Sequence, residues 1–583
     1  MRQLLSGNEA IARGAYEAGV KVATGYPGTP STEILETIIQ WPEVRAQWSP
    51  NEKVAVEVAL GAALAGGRAL VTMKHVGLNV AADPLFTAAY TGVHAGLVIV
   101  TADDPGMHSS QNEQDSRHYA RAAKVPILEP SDSAEALQMV HAAFEISERY
   151  DTPVLLRSTT RISHSKSVVT VGERVETLPL HFERNIRKYV MVPANARERR
   201  KFVEQRLAAL AAFAEETDLN RVEIRSRKIG VVTSGISYQY VRDAAPEASV
   251  LKIGMPFPLP LKRVRDFASQ VDRLYVVEEL EPFIEHQVQA LGIPAAGRSL
   301  FLSYGELDAS IVARGISSSP IGPLPPPVLN FPARPPVMCP GCPHRAVFRT
   351  LADLGVVVFG DIGCYSLGAS PPLGSMDTLV CMGAGVGMAH GAELVGHQGP
   401  TVAVIGDSTF VHSGITPLID LVYNGGTSTV LILDNRTTAM TGRQENPATG
   451  RTIMGDAAPA LDLEALVRAV GVKDVHVVDP YNMVLLKIVL ERAFQHPGPS
   501  VVIVQRACVL LDRKTWKPGL VVDEDACLAC GICGELGCPG LRPGVGLEEP
   551  ASIDAALCTG CGECVHVCPF HAIVEHGKET SGQ

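Results

Sequence analysis

Cysteine is the residue type that promises most chemistry in this 583-residue sequence. Eight of its thirteen cysteines lie between residues 527 and 568. They form two runs, Cys527-x2-Cys530-x2-Cys533-x4-Cys538-Pro539 and Cys558-x2-Cys561-x2-Cys564-x3-Cys568-Pro569. Thiolates at this spacing wrap iron–sulfur cubanes: three cysteines of a run hold one [4Fe–4S] cluster, and the fourth reaches across to the other. The expected sets are Cys527, Cys530, Cys533 with Cys568, and Cys558, Cys561, Cys564 with Cys538. One extra residue before Cys538 leaves the exact ligation at that corner open. CxxC pairs also make zinc knuckles, but two triple runs that each close in Cys-Pro speak for clusters. Two clusters so close together would carry single electrons.

A second signature is acidic. An apolar run, Thr401 to Ile405, ends in Gly406-Asp407-Ser408, and a similar run, Thr429 to Asp434, ends at Asn435. The pair resembles the GDG/GDS…N motif with which thiamine diphosphate enzymes hold Mg²⁺. Mg²⁺ takes six oxygens in near-octahedral geometry. Asp407, Asn435, the Thr437 carbonyl, two diphosphate oxygens and a water would supply them. Upstream, Gly383, Gly385 and Gly387 open a helix-like stretch whose backbone amides suit a diphosphate. A dinucleotide site is the competing reading, since Asp407 lies 20 residues beyond Gly387. The GxGxxG pattern is not met, however, and that reading leaves Asn435 unexplained. Thiamine diphosphate also needs a carboxylic acid on its aminopyrimidine ring. Glu52, at the start of an apolar helix-like stretch, is the candidate, with Glu57 as the neighbouring alternative.

These groups sit on alternating helix-like and strand-like segments, the pattern of α/β domains. Asn8 to Ala18 reads as a helix, Val20 to Pro27 as a strand then a turn, and Leu97 to Thr101 and Val154 to Leu156 as buried strands. Residues 1–180 form a first α/β domain, and 181–228 a charged, solvated linker helix. A second α/β unit covers 229–315, and a connector at 316–336 carries eight prolines within Ser317 to Pro336. A third α/β unit spans 337–515, and the cysteine-rich domain 518–575. Formal net charge is −11, which argues against general nucleic-acid binding. From Gly519 onward there are 2 basic and 10 acidic residues, so the tail holds most of that charge. No run is long and apolar enough for a membrane span or a signal peptide. Clustered, non-disulfide cysteine usage points to a reducing cytoplasm.

The whole chain resembles the 2-oxoacid:ferredoxin oxidoreductase superfamily, and within it the indolepyruvate:ferredoxin oxidoreductase alpha subunits. The resemblance is carried by Gly25-Tyr26-Pro27-Gly28-Thr29-Pro30-Ser31, the segment Asp103 to Asp115, Cys339-Pro340-Gly341-Cys342-Pro343-His344-Arg345, and Asn435 to Gly442. It implies a pyrimidine-type domain, a transketolase-C-terminal-like domain, a diphosphate-type domain and a two-cluster ferredoxin-like α+β domain, in that order. It also implies Thr29 on the cofactor side and favours Glu52 over Glu57, because Glu52 precedes Gly77-Leu78 by the family's interval. A third, proximal [4Fe–4S] cluster would take Cys339, Cys342, Cys364 and Cys508, leaving Cys381 as an ordinary buried thiol.

The implied reaction is CoA-dependent oxidative decarboxylation of an aryl 2-oxoacid to an aryl-acetyl-CoA and CO₂, with two ferredoxins reduced. A smaller gamma-type partner subunit and an (αβ)₂ assembly are implied with it. His75, His108 and His344 are candidates for contact with substrate or for proton transfer. The chemistry fits sister enzymes for phenylpyruvate-like or phenylglyoxylate-like acids equally well. A non-catalytic electron-transfer subunit is the rival from another class, and the intact Asp407 and Asn435 speak against it.

Overall fold

The computed structural model describes residues 1–176, 182, 184–302, 304–317, 335–511, 516–544, 546 and 549–575. Most of the proline-rich connector lies outside them. The chain divides into two compact units, Met1–Asn330 and Phe331–Gln583.

The first unit opens with β1 (Arg2–Ser6), β2 (Val22–Gly25), β3 (Arg45–Trp48), β4 (Ala69–Lys74), β5 (Leu97–Asp103), β6 (Ile127–Leu128), β7 (Val154–Thr159) and β8 (Lys166–Thr170). Six of these form a parallel sheet in the order β3-β2-β4-β5-β7-β6, while β1 and β8 pair antiparallel. β4, β5 and β7 are buried along their whole length. Helices therefore cover both faces, as parallel sheets require. The expected first helix is Gly7–Glu17; Ser6 caps it and Glu9 closes a capping box.

A second sheet in the same unit comprises β9 (Arg221–Glu223), β10 (Ser226–Ser234), β11 (Ala248–Ile253) and β12 (Leu274–Val277), ordered β12-β10-β11-β9. The segment read as a solvated linker helix is helical and largely open to solvent, and it docks along one face. Its helix, Pro193–Glu216, buries Val203, Arg206, Leu210 and Ala214. Arg206 donates to the Asp151 carbonyl at 2.9 Å and Arg199 to the Tyr90 carbonyl at 2.6 Å. Long basic side chains here serve as docking groups, which composition alone does not reveal.

The second unit holds β13 (Val357–Phe359), β14 (Thr401–Gly406), β15 (Thr429–Asp434), β16 (Asp474–Val478) and β17 (Ser500–Gln505). They form a five-stranded parallel sheet ordered β13-β14-β15-β17-β16. Val402, Val404, Leu431 and Val502 face one core, and Ala403, Ile405, Ile432 and Ile503 the other. Each buried branched side chain contributes roughly 1.5–3 kcal/mol. The cysteine-rich tail adds two short antiparallel pairs: β18 (Leu520–Val522) with β21 (Ile573–Glu575), and β19 (Leu541–Arg542) with β20 (Ser552–Ile553). Among the described residues no helix is long and apolar enough to cross a membrane.

Candidate functional site

In the second unit the chemistry-bearing residues gather where strands end, the usual ligand position in open parallel sheets. Asp407 follows β14 directly and Asn435 follows β15. The segment after β17 returns beside them, since the Cys508 amide donates to the Asn435 carbonyl at 2.9 Å. Asp407 is buried; its Oδ1 accepts the Ser408 amide at 2.7 Å, and its Oδ2 makes no well-formed hydrogen bond, although the Asn446 side chain stands close enough to favour its charge. Burial first, and the nearby Asp434 second, push its pKa up to about 7. A buried carboxylate with one poorly paired oxygen is costly unless a cation completes it. Arg436 adopts the left-handed φ of +61°, which turns the Thr437 amide onto Asn435 Oδ1 at 3.2 Å. That same amide draws the Asp407 pKa back down, so the two strand ends converge on one point. Oxygen donors of this kind suit Mg²⁺.

His344, the first residue of the helix His344–Leu354, stands behind Asn435 with Nε2 at 3.2 Å from Asn435 Nδ2. Burial lowers its pKa to about 4, so the neutral ring accepts from the amide and directs the carboxamide. It also lies edge-on to Tyr365 at 5.7 Å. Its place is thus behind the strand-end asparagine. Gly383, at φ +86°, caps the helix Ala384–Leu394, and a Cβ there would fall 2.6 Å from Ser413 Cβ. A Cβ on Gly385 would fall 2.7 Å from the Phe359 carbonyl, at the end of β13. Only glycine lets this helix start against the sheet edge. Gly387 is exposed in the fourth helical position, where its amide belongs to the helical ladder. The structure therefore brings Gly383 and Gly385, but not Gly387, to the helix start. Asp361 was not anticipated: it is fully buried, accepts from the Gly383 amide at 3.0 Å, and is pushed up to about 7 by burial.

The tail cysteines ring two cavities. Cys527, Cys530, Cys533 and Cys568 line one; Cys538, Cys558, Cys561 and Cys564 line the other. These are the crossed sets that the spacing suggests. Among the described residues no group of three or more His, Cys, Asp or Glu side chains is arranged to hold a single metal ion. The additional residue before Cys538 is taken up in the 3₁₀ turn Ile532–Leu536 and by Gly537 at φ +65°. Amides of Leu520 and Ala572 donate to Cys558 Sγ at 3.4 Å and Cys568 Sγ at 3.3 Å, contacts of the kind that tune cluster potentials. Near the strand ends, burial raises the Cys364 thiol to about 11, with Cys508 and Cys339 adding to the shift. Those three thiols therefore lie near one another, and the buried Cys342 donates its amide to the Cys339 carbonyl at 3.0 Å. Cys381 corrects an expectation: it is exposed, because it precedes the glycine cap on the solvent side of the turn.

In the first unit Glu52 starts the helix Glu52–Leu64 after Asn51, whose side chain caps the Val54 amide at 3.0 Å. Glu52 is buried and Glu57 exposed. A Cβ on Gly77 would fall 2.5 Å from Glu52 Oε1, so the carboxyl rests directly on that glycine. Lys74, missed in the sequence, is buried at the end of β4. Its Nζ donates to the Ser109 carbonyl at 2.5 Å, and Ser109 Oγ donates to the Thr29 carbonyl at 3.2 Å. Burial lowers the Lys74 pKa to about 8. His75 is buried with neither ring nitrogen hydrogen-bonded. His108 is exposed and pairs with Glu306 at 3.0 Å.

Comparison with known proteins places these features. Residues 13–212 match the family described as pyruvate flavodoxin/ferredoxin oxidoreductase, thiamine diP-binding. Residues 361–504 match the thiamine pyrophosphate enzyme C-terminal TPP-binding domain, and residues 551–574 the 4Fe-4S binding domain. Indolepyruvate oxidoreductase subunit IorA of Archaeoglobus fulgidus is 41% identical over 98% of this chain and 97% of its own length. The IorA subunit of Methanothermobacter marburgensis is 43% identical over 99% and 98%. A solved 2-oxoglutarate:ferredoxin oxidoreductase from Magnetococcus marinus overlaps 55% of this chain and 65% of its own at 15% identity and a TM-score of 0.46. Fold and site define a thiamine-diphosphate-dependent oxidoreductase that oxidises 2-oxoacids and passes electrons through iron–sulfur centres to ferredoxin. Within that class, the chain belongs to the IorA family of oxidoreductase subunits.

Proposed function

We propose that the chain catalyses the CoA-dependent oxidative decarboxylation of aryl 2-oxoacids of the indolepyruvate type, in the cytoplasm and together with a smaller gamma-type subunit as (αβ)₂. The aryl substrate is that of the named relatives. The observation that carries the catalytic reading is Asp407, buried at a strand end with one oxygen that makes no well-formed hydrogen bond. An electron-transfer subunit without a reaction would have no use for such a group.

Thiamine diphosphate supplies, when bound, a nucleophilic carbon and an electron sink for decarboxylation. Asp407, Asn435 and the Thr437 carbonyl would hold Mg²⁺ for its diphosphate, with the helix start at Gly383 and Gly385 alongside. Asn435 presents its oxygen because His344 takes its amide hydrogen. Glu52, held on Gly77, would keep the proton exchanged with the pyrimidine ring nitrogen, and Thr29 would face the same side. Cys339, Cys342, Cys364 and Cys508 would ligate a third [4Fe–4S] cluster. The two tail sets would ligate the others.

Anaerobic purification with the neighbouring subunit tests the reading. About twelve iron atoms per chain are expected for three cubanes, together with bound thiamine diphosphate. Viologen reduction should require both indolepyruvate and CoA. Reduction without CoA, or none with any 2-oxoacid of an aryl panel, would overturn it.

A further inference from the structure

Other buried cations of the chain are spent within it. Arg117 lies on Asp115 and Glu278, Arg157 on Asp103 and Glu129, and Lys252 on Glu135. Arg345, fully buried, donates to the Met338 and Cys339 carbonyls at 2.6 and 2.9 Å, and to the Leu536 carbonyl at 3.2 Å. Lys74 is different. It is 8% exposed, and among the described residues its Nζ donates only to Ser109, to the carbonyl at 2.5 Å and to Oγ at 3.4 Å. An ammonium has three N–H donors, so one is left over. Asp104 is the charge that acts on it, yet the Asp104 oxygens are taken. Oδ1 accepts from the Thr160 hydroxyl at 2.6 Å, and Oδ2 from the Ser110 hydroxyl at 2.6 Å and the Ser109 amide at 2.8 Å. Asp104 thus fixes the Ser109–Ser110 turn rather than closing an ion pair with Lys74.

The spare donor lies where the cofactor-side loop meets the sheet. β2 and β4 pair parallel with Gly25 opposite Thr72, so the Gly25–Ser31 loop and Lys74 leave the sheet at one edge. A Cβ on Gly28 would fall 3.2 Å from Lys74 Cβ, so that loop rests on the lysine stem, and Ser109 Oγ donates onward to the Thr29 carbonyl. Gly77, three residues beyond Lys74, carries the Glu52 carboxyl. His75 adds no second charge, because burial lowers its pKa. Gly28 and Thr29 are half-buried and Ser109 is exposed, so the ammonium lies just beneath an open edge. One spare donor and one unpaired charge suit a small monoanion, and a buried cation without one is costly.

We infer that Lys74 is the carboxylate anchor of the oxoacid site: its ammonium, steadied by Ser109 beside the Gly28–Thr29 loop, pairs with the carboxylate of the 2-oxoacid. The inference rests on the proposed function for the identity of that anion. In the reaction the bond between the carboxyl carbon and the keto carbon breaks, its electron pair stays with the keto carbon, and neutral CO₂ leaves. Lys74 keeps its proton throughout. The ion pair is strongest before that bond breaks, so it serves binding of the oxoacid and adds little to kcat. The acyl product has lost the carboxylate and is released from this contact.

Lys74→Met, in anaerobically purified holo complex with the parent's iron and thiamine diphosphate content, tests the anchor by steady-state kinetics. The KM for indolepyruvate should rise roughly thirtyfold or more, while kcat falls less than about fivefold and the KM for CoA stays unchanged. An unchanged KM for indolepyruvate, with viologen reduction intact, overturns the anchor and leaves the proposed function standing. A KM for CoA raised in step also overturns it, since that marks a phosphate site. The unmodified complex supplies a second measurement: trace acetylation by acetic anhydride, read by peptide mass spectrometry. At about four times its Kd, indole-3-lactate, an unreactive 2-hydroxyacid, should slow labelling of Lys74 about fivefold, and its methyl ester should not. Equal labelling with and without the acid overturns the anchor. Protection by the acid in a complex that oxidises no aryl 2-oxoacid would overturn the proposed function and support the anchor.

Discussion

Each unit buries a carboxylate at the end of a central parallel strand, and the two are treated in opposite ways. Asp103, at the end of β5, accepts from Arg157 Nε at 2.6 Å and from Ser116 through both its hydroxyl, at 2.5 Å, and its amide, at 3.1 Å. Nearby Asp115 accepts from the Arg117 backbone amide, Nε and Nη2, and Arg117 also reaches Glu278 at 2.5 Å. Burial pushes Asp115 up, but Arg117 and Arg157 win and hold it well below the carboxylate range. Asp407, at the end of β14, has no such cation and is raised. Pairing marks a carboxylate that joins domains of the scaffold, since Arg117 links the first sheet's loop to Glu278 beyond β12. A strand-end carboxylate with no cation beside it is left for something that binds.

The sharpest way to break this contrast is Asp407→Asn. It should abolish retention of thiamine diphosphate while leaving the apo protein's urea midpoint unchanged or raised, because a buried charge is removed. Cofactor released on denaturation, measured by fluorescence after oxidation to thiochrome, checks this; retained cofactor would contradict it. The mirror experiment is Arg157→Met, which strands Asp103 and Glu129. A loss of about 3–5 kcal/mol in urea unfolding of the first unit is expected.

Glu279 offers a graded probe. Burial raises its pKa to about 7, so the folded state binds an extra proton between the ordinary carboxylate range and that value. Its contribution is therefore most favourable at low pH and is lost as pH rises toward 7. Relative to Glu279→Gln, the parent should lose on the order of 3 kcal/mol between pH 4.5 and pH 7. Urea titrations across that interval read the difference. The smallest effect belongs to Gly77→Ala, whose methyl would displace the Glu52 carboxyl. A roughly tenfold fall in kcat is expected from a misplaced acid, with the fold intact by circular dichroism.

Legibility in the sequence followed locality. The cysteine sets were readable because thiolate spacing within a short run fixes which sulfurs can meet. Asp407 and Asn435 were readable because each closes an apolar strand. Glu52 needed the interval to Gly77, which the structure explains as direct contact. Lys74, Asp361 and Arg345 were not readable, since what makes them notable is burial created by segments distant in the chain. His344 was visible as a candidate, yet its place behind Asn435 depends on a partner 91 residues away. The charged helix Pro193–Glu216 shows the same limit from the other side: basic composition suggested solvation, and long-range carbonyl acceptors made it a docking element.

Arg345 bears on modularity. Its guanidinium draws acceptors from both the start of the diphosphate-type region and the turn before Cys538. Excising the iron–sulfur lobe would remove the Leu536 and Gly537 acceptors and leave this cation only the Met338 and Cys339 carbonyls, so the lobe is no interchangeable appendage. Through this one side chain, catalytic body and wiring are built as a single piece.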